Sequence, residues 1–303
     1  MIDTALNLLA PALVAMGWVA YRRRVRSLQG RGRATPGWRQ LCFGSGLGLL
    51  LVAEAPPLGR WSQELVTFHM VQHLAIGDLA ALLVVLGLTG PLLRPILAAC
   101  GLRWVRTLGN PLFAFPAWLA NLYLWHLATL YQGVLDHPAL HLVQHAAFLG
   151  FGVAMWMPLV GPLPTPSWFG ASAKLIYVVS VRFAGAVLAN VLAWSASPLY
   201  PAYASAGRGW GISPLSDQGI AGMVMMGETG VVTLALLAWL LLGWAREETE
   251  SQAIIDRARA RGVKLDPARA QRAVRAGTAD RLEQRIARRR PPGPAGSPPE
   301  QRR

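Results

Sequence analysis

Five of the six histidines have the spacing of a metal-binding cluster. His69 and His73 are four residues apart in one apolar stretch, and His141 and His145 repeat this spacing in another. Residues four apart share one face of a helix. His126 lies in an apolar stretch between these two pairs. Neutral imidazoles from separate helices can surround copper, zinc or iron, so these five histidines are predicted metal ligands.

Further side chains are candidates either to bind the same ion or to orient a ligand. Most of them open the last apolar stretch, and three of these are thioethers, which are typical copper(I) ligands. Methionine also fills gaps in any core, so a packing role stays open for all three. The sixth histidine precedes a proline in a predicted turn. These candidates are Asp217, Gln218, Met223, Met225, Met226 and His137.

Three charged residues fall deep inside apolar stretches: Asp78, Arg182 and Glu228. At 1.5 Å per helical residue, all three lie at one level, about 12 Å from the predicted inner membrane face. A charge in hydrocarbon costs several kcal/mol, so pairing is expected. The sequence therefore predicts an intramembrane charge network, which either locks the helices together or forms part of an ion or proton path.

Seven apolar stretches position these residues. A membrane-spanning helix needs ~20 apolar residues, and 53% of this 303-residue chain is hydrophobic. The chain is therefore predicted to be an all-α, polytopic membrane protein with a bundle of seven transmembrane helices. The predicted spans are 4–21, 38–55, 66–88, 111–131, 139–160, 174–194 and 215–244.

The basic residues set the orientation of the bundle. The net charge is +14, and the excess lies mainly in residues 22–39 and 246–303. Cytoplasmic loops are rich in Lys and Arg, which places the N-terminus outside and the C-terminus in the cytoplasm. Both basic segments then face anionic lipids of the inner leaflet, and no nucleic-acid partner is expected. The five histidines fall within roughly 12 Å of the outer membrane edge.

Four regions follow from this topology. Residues 1–21 form the first transmembrane helix and residues 22–37 a basic cytoplasmic loop. Residues 38–245 form a six-helix membrane core that carries the histidines. Residues 246–303 form a basic cytoplasmic tail, predicted to be partly helical and then disordered where proline and glycine accumulate.

Common catalytic signatures are missing from the sequence. It contains no P-loop, GxGxxG, HExxH or GxSxG pattern, so the usual nucleotide-binding, zinc-peptidase and serine-hydrolase motifs are absent. We therefore expect a protein that is not an enzyme.

Several motifs together resemble one family. FHMVQHL, WHLATLYQ, HPALHLVQH, WMP and DQGIAGMVMM occur in this order, and their combination is similar to the multi-pass CtaG family of caa(3)-type cytochrome c oxidase assembly factors. The resemblance covers roughly residues 38–245. It implies a bacterial plasma-membrane protein that acts on cytochrome c oxidase subunits, with copper supply as the usual expectation. The motif positions carried over are His69, His73, His126, His141, His145, Asp217 and Gln218.

The residues and the resemblance agree on an assembly factor, or chaperone, that binds copper(I) at the outer face and passes it to the oxidase. Two alternatives stay open. The first is a copper permease or resistance protein, which needs a continuous polar path across the bilayer. The second is a b-type haem protein, in which His73 and His145 clamp the haem. A scaffold whose histidines only pack helices together is a third interpretation.

Overall fold

The computed structural model of the protein describes residues 2–100, 107, 109–204, 209–275 and 277–288. Every regular element within these ranges is a helix, which confirms the predicted all-α class. Arg103 and Arg106, two basic residues between the third and fourth predicted spans, lie outside the described residues, as does the proline-rich end, 291–303.

α-Helices make up most of the described ranges, together with a π-helical turn and a 3-10 turn. The α-helices are α1 (Ile2–Gln29), α2 (Gly37–Glu54), α3 (Pro56–Glu64), α4 (Val66–Leu74), α5 (Ala81–Gly87), α6 (Gly90–Cys100), α7 (Pro111–Trp125), α8 (Ala128–Asp136), α9 (Pro138–Val160), α10 (Ala171–Trp194), α11 (Pro214–Ala260), α12 (Pro267–Arg275) and α13 (Ala279–Arg288). The π turn is Ala75–Ala80 and the 3-10 turn is Pro201–Ala204.

Four helical stretches in the described ranges are long and apolar enough to cross a membrane. They are Val66–Gly87, Pro138–Val160, Ala171–Trp194 and Pro214–Ala260. The bent pair α2 and α3 adds a fifth when it is counted as one span. These helices make the chain a membrane protein.

Two predicted element boundaries in the first half of the chain are wrong. The segment predicted as a loop after residue 55 is helix α3, which turns by 52° from α2. Ala55 between them is extended, because a residue before proline is pushed out of the helical region. The span predicted over 111–131 is broken after Trp125, since His126 ends α7 and Leu127 is extended. The Tyr200 hydroxyl donates to the freed His126 carbonyl oxygen at 3.2 Å.

The helices that carry the two histidine pairs make an unusually close contact. Gly77 lies in the π turn that follows α4, and Gly152 lies on α9. A Cβ at Gly152 would overlap the Gly77 carbonyl group. Glycine therefore lets the two backbones touch, which fixes the distance between the helices one turn beyond His73 and two turns beyond His145.

The described chain divides after Thr233 into two compact units. The core of the first unit includes Met70, Ile76, Trp125, Tyr131 and Met225. The second unit contains the end of α11, which continues well past the predicted limit of residue 244, together with α12 and α13.

The second unit has a small core of its own. Its buried side chains are Ile254, Ala258, Ala270, Ala279, Leu282 and Ile286. Arg257 forms an ion pair with Glu283 at its surface. Helices are therefore present in the tail as far as Arg288.

Candidate metal centre

The structure brings the five predicted histidines into one histidine cluster: His69, His73, His126, His141 and His145. The ring centroids lie 4.2 Å apart within each pair on α4 and α9. Across the two helices, His69 faces His141 at 5.5 Å and His73 faces His145 at 5.6 Å. His126, at the end of α7, lies 6.2 Å from His73. The i, i+4 spacing on two helices that touch at glycine thus produces a rectangle of imidazoles with a fifth ring beside it.

Two of these imidazoles hydrogen-bond to side chains that sequence reasoning missed. His145 Nδ1 lies 2.7 Å from a carboxylate oxygen of Glu54, and His73 Nε2 lies 3.2 Å from the amide oxygen of Gln144. Glu54 ends α2 just before the bend. Its position 91 residues from His145 gave no local sequence signal, whereas Gln144 directly precedes His145 within the HPALHLVQH motif.

Two other imidazoles are oriented by a backbone carbonyl and a hydroxyl. His126 Nδ1 donates to the Leu122 carbonyl oxygen at 2.7 Å. Tyr203 donates to the Ser62 carbonyl oxygen at 2.8 Å, so its oxygen accepts from His69 Nδ1 at 3.3 Å. Burial raises the pKa of Tyr203 above its ordinary value, so the hydroxyl keeps its proton. Tyr203 lies in the 3-10 turn of a loop, where no motif marked it.

Every imidazole of the cluster keeps one buried nitrogen without a hydrogen-bond partner. These atoms are Nε2 of His69, His126, His141 and His145, and Nδ1 of His73. In His69, His73, His126 and His145 the other nitrogen is bonded to an oxygen. This hydrogen bond places the ring proton on the bonded nitrogen and leaves the opposite nitrogen with a free lone pair that can bind a metal ion. Buried polar atoms are normally satisfied, so five unsatisfied imidazoles in one place fit an ion-binding role.

The imidazoles do not form a finished coordination shell as they stand. No group of three His, Cys, Asp or Glu side chains within the described ranges is arranged to hold a metal ion. A metal–imidazole bond is ~2.0 Å, so two rings on opposite sides of an ion have centroids roughly 6 Å apart. The separations of 5.5, 5.6 and 6.2 Å across the helices are close to this value.

Asp217 and Gln218 contact the backbone. The Asp217 carboxylate accepts from the Val66 and Thr67 amides at 2.6 and 3.1 Å and so caps α4, the helix that carries His69 and His73. Gln218 accepts from the Leu199 amide at 2.6 Å and donates to the Leu192 carbonyl oxygen at 3.2 Å. Both residues therefore hold the elements that position the histidine cluster.

The remaining candidate ligands differ in location. Met225 is buried and Met226 packs against the same core. Met223 is exposed in a groove between α10 and α11. His137 is exposed and lies at the N-terminal cap of α9. Of these four, only Met225 is a member of the buried core that also contains Met70 and Phe148. The Phe148 ring lies against His73, with the ring centroids 4.4 Å apart.

The three membrane-embedded charges also come together. Arg182 forms a two-point ion pair with Asp78, and its guanidinium lies over the Trp156 ring. The Trp156 indole donates to Asp78 Oδ1 at 3.0 Å. Glu228 lies 3.8 Å from Arg182, and neither of its carboxylate oxygens has a hydrogen-bond partner. Asp78 and Arg182 are therefore the paired core of this network, and Glu228 is loosely attached to it.

The chain is similar to known proteins over the region that contains the predicted membrane spans. The sequence pattern of the family described as cytochrome c oxidase caa3 assembly factor (Caa3_CtaG) matches residues 6–247. Two relatives, the uncharacterized protein Mb0105 of Mycobacterium bovis and the uncharacterized protein MT0111 of Mycobacterium tuberculosis, are each 20% identical over 247 residues. The match covers 76% of this chain and 37% of each relative, so the chain spans little more than a third of their length. No solved structure matches the chain significantly.

Proposed function

Because the chain belongs to the cytochrome c oxidase caa3 assembly factor family, we propose that it binds copper(I) at the histidine cluster and delivers the ion to an oxidase subunit. The observation that carries this proposal is the set of five buried imidazole nitrogens without hydrogen-bond partners. Copper is the cargo, and the chain's role is to hold and release it, which requires no covalent chemistry.

The surroundings of the histidine cluster suit reversible binding of a cation. A buried charge needs a counter-charge, and the Glu54 carboxylate, 2.7 Å from His145, supplies one. The Glu54 side chain is 28% exposed, against 6% for His145. Glu54 therefore marks the accessible side of the cluster. Neutral imidazoles bind copper(I) with lower affinity than a set of buried thiolates, and the lower affinity favours transfer to a partner.

The proposal includes a topology of seven membrane spans. Helix α1 and the broken pair α7 and α8 supply the spans that bring the total to seven, with the N-terminus outside and the C-terminus in the cytoplasm. The basic segments support this orientation in a bacterial plasma membrane, where they face anionic lipid. The histidine cluster then opens towards the outer face, where copper is handed to the oxidase.

A small ion fits this site better than haem. A haem between His73 and His145 needs room for a macrocycle between α4 and α9. The backbones of those helices meet at Gly77 and Gly152, four residues beyond His73. A permease is also less well supported, because Arg182 places a positive charge at the deeper polar level and its partner Asp78 is fully engaged.

Bound metal in the purified full-length protein tests the proposal. Protein in detergent, loaded with copper(I) under reducing conditions, should hold close to one equivalent by elemental analysis. The variants His69→Ala/His73→Ala and His141→Ala/His145→Ala should both lose it, because each removes two of the clustered imidazoles.

The matched control is His137→Ala, which removes an exposed histidine outside the cluster. It should keep the full copper content. Copper-free wild type after loading, or equal losses in all three variants, would contradict the proposal. Iron with a Soret band in place of copper would favour the haem alternative.

A further inference from the structure

A second polar site lies between α1 and α6, where a pocket is lined by four arginines. This arginine pocket has a volume of about 370 Å³ and consists of Arg24, Leu28, Arg31, Arg33, Pro91 and Arg94. It lies on different helices from the histidine cluster, and the proposed copper function makes no use of it.

The fold gathers these arginines by a specific turn. Leu28 is buried with Tyr21, Val25, Phe43 and Leu92, which joins α1 to α6. After α1 ends, Gly32 adopts a positive φ of 69°, a conformation that suits glycine. The Arg33 amide then bonds back to the Leu28 carbonyl oxygen at 2.9 Å. This turn returns the chain over the end of α1, so that Arg31 and Arg33 line the pocket beside Arg24.

The positive charges of the pocket have no protein counter-charge nearby in the sequence. Residues 4–53 and 79–135 contain no Asp or Glu, and these stretches supply every lining residue. The ion pairs found in the described part of the chain involve none of the four arginines. Arg24 donates to the Pro91 carbonyl oxygen at 3.0 Å, but its buried Nε has no partner. Like charges held together in this way repel unless an anion joins them.

We propose that the arginine pocket binds the phosphate headgroup of an anionic phospholipid. Guanidinium groups bind phosphate oxygens through paired hydrogen bonds, and basic pockets between membrane helices are suited to lipid headgroups. Leu28 and Pro91 give the pocket an apolar side, which fits a lipid that continues into hydrocarbon. This binding is local, unlike the general attraction of basic segments to a charged membrane surface.

Lipid retained by the full-length protein tests this site. Protein in neutral detergent at about 0.15 M salt, where diffuse attraction is screened, is titrated with phosphatidylglycerol, phosphatidylcholine or inorganic phosphate. Native mass spectrometry measures the bound fraction. Phosphatidylglycerol should bind more tightly than phosphatidylcholine. Arg24→Gln/Arg94→Gln should weaken it by about tenfold for each arginine, as expected for a hydrogen bond to a charged group.

The control is Arg23→Gln/Arg26→Gln, which removes the same charge from exposed positions of α1 outside the pocket. It should change binding by less than about twofold. Equal losses in the two double variants, or equal binding of both lipids, would overturn the site. Inorganic phosphate that displaces phosphatidylglycerol at equal affinity would overturn the lipid as its source. If the pocket variant does not fold, Arg94→Gln alone serves, because Arg94 is exposed.

Discussion

Glu54 contributes a single hydrogen bond to the histidine cluster, but that bond determines which nitrogen of His145 is available. With Nδ1 bonded to the carboxylate at 2.7 Å, Nε2 keeps its lone pair. A carboxylate partner of this kind also strengthens the bond that an imidazole makes to a metal ion. Glu54 is therefore expected to set copper affinity without touching the ion.

Replacing Glu54 by glutamine tests this role. Glu54→Gln should weaken copper(I) binding by about 10–100-fold, the usual effect of losing such a partner, in a competition titration against a chelator of known affinity. Glu64→Gln is the control, because Glu64 contacts the Trp210 indole and no histidine of the cluster. Unchanged affinity in Glu54→Gln would show that the carboxylate has no part in the site.

Met225 tests whether a thioether takes part in binding. The side chain is 5% exposed and lies in the apolar core, which indicates packing. Met225→Leu conserves volume and should cost less than about 1.5 kcal/mol, with copper content and oxidase assembly unchanged. A fall in copper content without a fall in thermal stability would instead identify Met225 as a ligand.

At this scale the five imidazoles lie together as their i, i+4 spacing indicated, and their role as metal ligands stays a prediction. The sequence did not predict Glu54, Gln144 or Tyr203 as partners. Each acts through a contact that depends on how helices meet, and two of the three lie 91 or more residues from the histidine they contact.

At the scale of elements, the contact of the π turn with α9 decides whether the two histidine pairs face each other. The sequence predicted a single regular helix over 66–88 and gave no sign of the π turn Ala75–Ala80. Such a turn adds a residue to a helix and changes the direction of the side chains around it. The packing partner that favours it, Gly152, lies on a different helix.

A methyl group added at that contact should be damaging. Gly152→Ala places a Cβ against the Gly77 carbonyl group and should lower stability by about 1–3 kcal/mol through overpacking. Thermal unfolding in detergent measures the effect. Gly150→Ala on the same helix meets nothing within 4 Å and should be neutral or slightly stabilising. Equal stability of the two variants would mean that the close approach is not needed.

For the whole molecule, the ion pair of Arg182 and Asp78 ties together helices that are far apart in sequence. The predicted level of the three charges agrees with their meeting, because depth in a bilayer follows from simple counting of residues. Counting does not show which carboxylate is the true partner. The two-point geometry and the Trp156 hydrogen bond belong to Asp78, whereas Glu228 remains at 3.8 Å.

This geometry predicts that substitution of Asp78 lowers stability more than substitution of Glu228. Asp78→Leu leaves a buried guanidinium without its partner and should cost about 3–5 kcal/mol, measured by denaturant unfolding in mixed micelles. Glu228→Gln should cost far less. The double variant Asp78→Leu/Arg182→Met should recover much of the loss. If Glu228→Gln were the more damaging change, Glu228 would be the main partner of Arg182.

The Asp217 cap of α4 also has a consequence for biosynthesis. The Val66 amide receives its acceptor from a residue 151 positions later in the chain, and His69 receives its hydroxyl partner from Tyr203. While the ribosome is still translating the middle of the message, α4 is already made, but neither partner exists. Helix α4 therefore receives this cap, and His69 its hydroxyl partner, only after Tyr203 and Asp217 have been made. A nascent chain that stalls before that point carries α4 without its carboxylate cap and His69 without its hydroxyl partner.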